Sequence, residues 1–148
     1  MIKRLLIVFS ALLIIPLLAA CGATTGSTPS ATGGQASNTV QVTETEYKID
    51  SSVTSFTPGT TYHFEVTNNG QTAHEFMIMP RSEGNMSGMP MGNMDKMALA
   101  SIDNINPGET KTLDYTFPAS TANSQPELAC YLPGHYEAGM KQDVMVKA

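Results

Sequence analysis

The stretch Glu127-Leu128-Ala129-Cys130-Tyr131-Leu132-Pro133-Gly134-His135-Tyr136-Glu137-Ala138-Gly139-Met140 carries a thiol, an imidazole and a thioether at five-residue intervals. Pro133-Gly134 is a turn signal inside the first interval, and Gly139 stands just before the methionine. A loop of this kind can aim Cys130, His135 and Met140 at one point. One thiolate, imidazoles and a weakly held methionine sulfur are the donor set that tolerates both oxidised and reduced copper. A second imidazole is needed, and it must come from elsewhere in the chain.

The N-terminus places the protein. Lys3 and Arg4 precede an apolar run, Leu5 to Ala20, that is broken only by Ser10 and Pro16 and ends in small residues, which reads as an export signal over residues 1–20. Leu18-Ala19-Ala20-Cys21 looks like a bacterial lipobox, with Cys21 the lipidated first residue after cleavage. The competing reading is an uncleaved membrane span, for which the run is short. Either way the remainder lies outside the cytoplasm, anchored to the cell membrane. With Cys21 lipidated, Cys130 is a lone thiol in an oxidising setting, without an intrachain disulfide partner. Its neighbours favour a ligand over an inert buried cysteine.

Losing Lys3 and Arg4 from 8 basic and 13 acidic residues leaves a net charge of about −7, which argues against nucleic acid and against electrostatic attachment to anionic lipid. Residues 21–38 hold no charge and no bulky apolar side chain, and read as a lipid-anchored flexible linker spanning roughly 20 to 25 Å. The domain proper is residues 39–148, about 110 residues and large enough for one core.

Within it the patterning is all-β. Strands are expected over 39–47, 49–56, 61–67, 73–79, 99–103, 110–117, 127–131 and 143–147, with turns at Pro58-Gly59 and Asn68-Asn69-Gly70. About eight short strands make a β-sandwich or small barrel. Helical potential is confined to the segment around Asn93 to Ala100. No phosphate loop, spaced carboxylate pair or nucleophile elbow is present, so an enzyme is not expected.

The chain has three histidines. His63 alternates with Tyr62, Phe64 and Val66 and faces solvent. His74 follows the Asn-Asn-Gly turn and opens a strand with Phe76 and Ile78 on its own side, which makes it the remaining candidate imidazole.

An upstream His after an Asn/Gly turn, followed by Cys-x4-His-x4-Met near the C-terminus, resembles the ligand order of the cupredoxins, the blue-copper fold of plastocyanin, azurin, auracyanin and rusticyanin. The resemblance covers nearly all of residues 39–148 and implies a Greek-key β-sandwich. It implies that His74, Cys130 and His135 are the trigonal ligands of one type 1 copper, with Met140 weak and axial. It further implies outer-sphere, single-electron exchange with a redox protein through the His135 edge. Two positions depart from the pattern: many electron-carrying members have Asn after the first His and Ser or Thr after the Cys, where this chain has Glu75 and Tyr131.

Met86, Met89, Met91, Met94 and Met97 fall within twelve residues, interrupted by Gly88, Pro90 and Gly92. Thioethers are soft donors that select Cu(I), so this insertion is a candidate for additional Cu(I) binding; partner docking and apolar packing are the other readings. The insertion is similar to that of exported, cupredoxin-like bacterial copper-binding proteins, which keeps copper handling, with a copper donor or acceptor as partner, beside electron transfer. A monomer is expected. Three histidines do not furnish the further copper centres of a nitrite reductase or a multicopper oxidase.

Overall fold

The computed structural model describes residues 38–81 and 90–148, and only the backbone of Met91. The expected signal peptide, Cys21 and nearly all of the linker lie outside the described residues, as do Met86 and Met89. Among the described residues no helix is long and apolar enough to cross a membrane.

Alternating apolar residues build two four-stranded sheets. The first contains β1 (Thr39–Thr45), β2 (Lys48–Ser51), β4 (Thr61–Asn68) and β7 (Thr110–Thr116), in the order β2-β1-β4-β7. The second contains β5 (His74–Met79), β6 (Ala100–Ile105), β8 (Glu127–Ala129) and β9 (Lys141–Asp143), in the order β6-β5-β8-β9. Two short strands, β3 (Ser55–Phe56) and β10 (Met145–Val146), pair in parallel beside them. Val40, Val42, Tyr62, Phe64 and Val66 from the first sheet share one buried cluster with Phe76, Ile78, Ile102 and Leu128 from the second. Phe56 stacks on Phe117 at 4.7 Å and meets Tyr62 edge-on at 4.9 Å. Each such side chain contributes about 1.5–3 kcal/mol by leaving water.

The all-β sandwich is as the pattern predicts, but two expected strands are each divided. Residues 49–56 break after Ser51, whose hydroxyl donates to the Val53 carbonyl at 2.8 Å while the Ser52 hydroxyl accepts from Gln41 N–H at 2.9 Å. These local bonds replace the ladder and let the chain leave the first sheet, so that β3 pairs with β10 instead. Likewise residues 143–147 divide at Val144, whose N–H goes to the Pro126 carbonyl at 3.0 Å. Residues 46–47 form a turn where the pattern predicts strand, with Tyr47 at φ 64°.

The helix α1 (Met91–Met97) starts and ends earlier than the expected 93–100. Pro90 supplies the extended residue before its first turn, and Gly92 is tolerated inside it. It stops because Ala98 is extended (ψ 135°) and Leu99 N–H donates to the Ile78 carbonyl at 2.8 Å, starting the approach to β6. The helix covers the outer face of β5, where Met77 and Met79 pack with Met94, Ala129 and Tyr131. With His74, Phe76 and Ile78 facing inward and this second cluster outside, all six residues of β5 are buried.

One polar residue fixes the crossing from β4 to β5. Asn68 is fully buried; its amide donates to the carbonyls of Thr72 (2.7 Å) and Ile105 (2.8 Å), and its Oδ1 accepts from Gly70 N–H (2.8 Å). Replacing it by Ala strands the buried Ile105 carbonyl and frees the Thr72 loop, so Asn68→Ala should lower the unfolding free energy by about 1–3 kcal/mol in chemical denaturation of the metal-free protein.

Candidate metal centre

The ligand candidates are placed by the second sheet. His74 is the first residue of β5 and fully buried. Cys130 follows β8 and Met140 precedes β9; these strands are paired at Ala129 and Lys141, which brings the two residues side by side. Cys130 N–H donates to the Met140 carbonyl (3.1 Å), Met140 N–H to His135 (3.0 Å) and His135 N–H to Leu132 (2.9 Å). Gly134 (φ 84°) and Gly139 (φ 105°) supply backbone conformations that side-chain-bearing residues rarely adopt. Met140 is fully buried in the cluster that holds Cys130.

Donor atoms of His74, Cys130 and His135 lie within 4.8 Å of one another. The two Nδ1 atoms face each other at 3.2 Å, and Cys130 Sγ is 3.4 Å from His135 Nδ1. Such separations suit ligands set about 2.0–2.3 Å from one shared ion. Burial, and then the facing His135 ring, hold the His74 imidazole below its ordinary pKa, while Glu46 acts in the opposite sense; the neutral, metal-ready form is therefore favoured. Burial, with Glu75 and Glu44 adding to it, pushes the Cys130 thiol up to about 12, so ion uptake must displace a proton from sulfur. Two borderline nitrogens, one soft sulfur and a buried thioether nearby fit copper.

The backbone matches solved blue-copper structures. Reduced auracyanin from Roseiflexus castenholzii superposes with a TM-score of 0.58 over 76% of this chain and 98% of its own, at 22% identity. The copper protein rusticyanin gives 0.57 over 74% and 78%, at 17% identity. The fold is the cupredoxin fold. No family model matches the sequence. Two curated relatives are copper-resistant cuproproteins CopI: that of Rubrivivax gelatinosus is 26% identical over 76% of this chain and 68% of its own length, and that of Vibrio cholerae is 31% identical over 59% and 51%. The chain thus spans about half the length of the second.

On this cupredoxin scaffold the two departures from the usual pattern form a contact of their own. Glu75 Oε1 accepts from Tyr131 N–H at 2.8 Å, joining the residue after His74 to the residue after Cys130. Burial raises the Glu75 pKa, and the Tyr131 N–H opposes that shift. Tyr131 in turn stacks on Tyr136 (4.3 Å, 12°), the residue after His135. Both hydroxyls donate to the buried Glu127 carboxylate, from Tyr131 at 2.5 Å and from Tyr136 at 3.2 Å. Lys141 lies 4.2 Å over the Tyr136 ring. The residues following all three clustered donors are therefore linked to one another.

The methionine insertion is divided in role. Met94 is a packing residue and Met97 is exposed. His63 faces outward and meets Asp114 at 2.6 Å, as the alternation predicts.

Sequence reasoning passes over Glu44, Glu46, Tyr47, Glu127 and Tyr136. A signal for Glu44 exists: it continues the inward alternation of Val40 and Val42, so a carboxylate occupies an apolar face. It is fully buried, neither of its oxygens has a hydrogen-bond partner among the described residues, and burial, helped by Glu75, raises its pKa to about 8. The folded protein then keeps a proton that the unfolded chain releases from about pH 4.5 upward. The resulting destabilisation grows between pH 4.5 and 8, at up to about 1.4 kcal/mol per pH unit, and is constant above. Glu44→Gln should therefore match the native metal-free protein near pH 4 and exceed its stability increasingly up to pH 8, as read by denaturation across that range.

Proposed function

We propose that this chain is an extracytoplasmic copper-binding protein that holds one type 1 copper on His74, Cys130 and His135, with Met140 as a weak axial donor, and passes single electrons as a lipid-tethered carrier. The observation that carries the reading is the convergence of two imidazole nitrogens and one thiol sulfur at the buried end of a cupredoxin fold. The bound ion would supply one-electron exchange. The protein's part is to keep its donors still. Cys130 and His74 are fully buried, and their following residues are tied by the Glu75 contact, so the donor set has little room to relax between charge states. His135 is half-buried, beside exposed Pro133 and Gly134, and offers the accessible edge. The partner in this reading is a redox protein, and the lipid on Cys21 holds a monomer at the outer side of the cell membrane.

A second reading, copper tolerance or delivery, is favoured by the two copper-resistance relatives. In it Met86, Met89, Met91 and Met97 collect additional Cu(I), and the partner is a copper donor or acceptor. Met94 is already committed to packing against Met77 and Met79.

The mature chain loaded with one Cu(II) should show a strong thiolate-to-copper absorption that bleaches on reduction. Cys130→Ser should abolish it while the circular dichroism of the sandwich persists; a folded, copper-loaded native protein without the band would refute the type 1 assignment. If the second reading holds, Cu(I) stoichiometry exceeds one per chain and returns to one when Met86, Met89, Met91 and Met97 are all replaced by Leu. A ratio of one in the native chain leaves the carrier role alone.

A further inference from the structure

The β1–β2 turn, Glu46 and Tyr47, has no part in the function proposed above, yet it reaches both imidazoles. The Glu46 carboxylate accepts the backbone N–H groups of Gln71 and Thr72, the latter at 3.1 Å, in the loop that leads into His74. Gly70 lies beside both the carboxylate and the imidazole. A Cβ at that position would stand 2.6 Å from Glu46 Oε1 and 2.9 Å from His74 Nε2. Both groups therefore border the space that Gly70 leaves by having no side chain. His74 Nε2 is buried and has no hydrogen-bond partner among the described residues, while its Nδ1 is turned toward His135.

A metal on Nδ1 leaves the ring proton on Nε2 and makes that N–H a stronger donor. Ligating histidines nearly always give this second N–H to a carboxylate, carbonyl or water, which fixes the tautomer and ring plane. Two acceptor oxygens border the same space, Glu46 Oε1 and Asn68 Oδ1, and the latter already accepts Gly70 N–H, whereas Glu46 carries the charge. We propose that Glu46 is a positioning residue of the metal centre, receiving the Nε2–H of metal-bound His74 through the gap left by Gly70. The inference rests on the copper reading above.

The other half of the turn supports it. Tyr47 sits at φ 64°, the second of two turn residues, where glycine or asparagine is usual. Its ring meets His135 edge-on, with centroids 6.0 Å apart. A backbone conformation costly for tyrosine is thus kept where the ring touches the other imidazole. An anionic acceptor on one ligand strengthens its donation and favours the more highly charged Cu(II) over Cu(I).

The test uses the mature chain and its Glu46→Gln, Glu46→Ala and Asp50→Asn variants, loaded with copper. Cu(II) affinity is read by chelator competition, the reduction potential by voltammetry, and the His74 Nε2–H by NMR in the Cu(I) form. Glu46→Ala should bind Cu(II) about 10- to 100-fold more weakly, with a higher potential and a faster-exchanging Nε2 proton. Glu46→Gln keeps an acceptor without the charge and should fall between Ala and native, and Asp50→Asn should match native. Apo-state denaturation separates a simple loss of fold, which leaves the potential unmoved. If both Glu46 variants match the native affinity within about twofold and share its potential, the proposal is overturned. A native protein without the thiolate-to-copper band would instead overturn the copper reading itself, an outcome visible before any variant is made.

Discussion

One hydrogen bond organises the metal-binding end of the sandwich: Glu75 Oε1 to Tyr131 N–H, 2.8 Å, between β5 and the loop after β8. It joins elements 56 positions apart in sequence, and each partner is the immediate neighbour of a candidate ligand. Fixing these neighbours fixes the backbones of His74 and Cys130. A carboxylate acceptor makes the bond charge-assisted and stronger than an amide would. It also places a buried carboxyl group beside the sulfur, and Glu44, once it ionises above about pH 8, adds another from the opposite sheet. The chain thus combines a stiffened donor set with an electrostatic field that opposes ionising the empty site.

The Tyr131–Tyr136 stack extends the same logic to His135. Offset aromatic pairs add about 0.5–1.5 kcal/mol beyond area burial, and this pair also satisfies a buried carboxylate at Glu127. The neighbours of three candidate ligands are therefore braced by side chains packed against one another. The loop from Cys130 to Met140 is closed locally by the β8–β9 ladder, whereas His74 arrives from a distant strand and depends on Asn68 for its approach.

Much of this was legible in the residues themselves. Cys130, His135 and Met140 announce themselves because donor types, spacing and turn residues coincide in one short segment. His74 is found by elimination and by alternation with Phe76 and Ile78. The division of residues 49–56 was not legible, since Ser51 and Ser52 suit a strand as well as a kink until their bonding is known. Nor was the turn at Glu46-Tyr47, which lacks glycine, asparagine and proline. Braces such as Glu127 and Tyr136 depend on tertiary proximity, which a lone Glu or Tyr in a polar loop does not signal. Glu44 differs: its place in the alternation was visible, and only the habit of reading glutamate as surface hides it.

The helix over β5 carries a consequence for how the protein opens. It is seven residues long, has no side-chain cap and no acidic residue in its first turn, and contains Gly92. Isolated segments this short are not stable helices in water, so its persistence comes from packing, with Met94 the buried side chain among its described residues. Segments with so little holding them unfold in local excursions far cheaper than global denaturation. In native-state hydrogen exchange its amides would be among the first of the folded core to lose protection. Each excursion would uncover the thioethers of Met77 and Met79 while both β-sheets stayed intact.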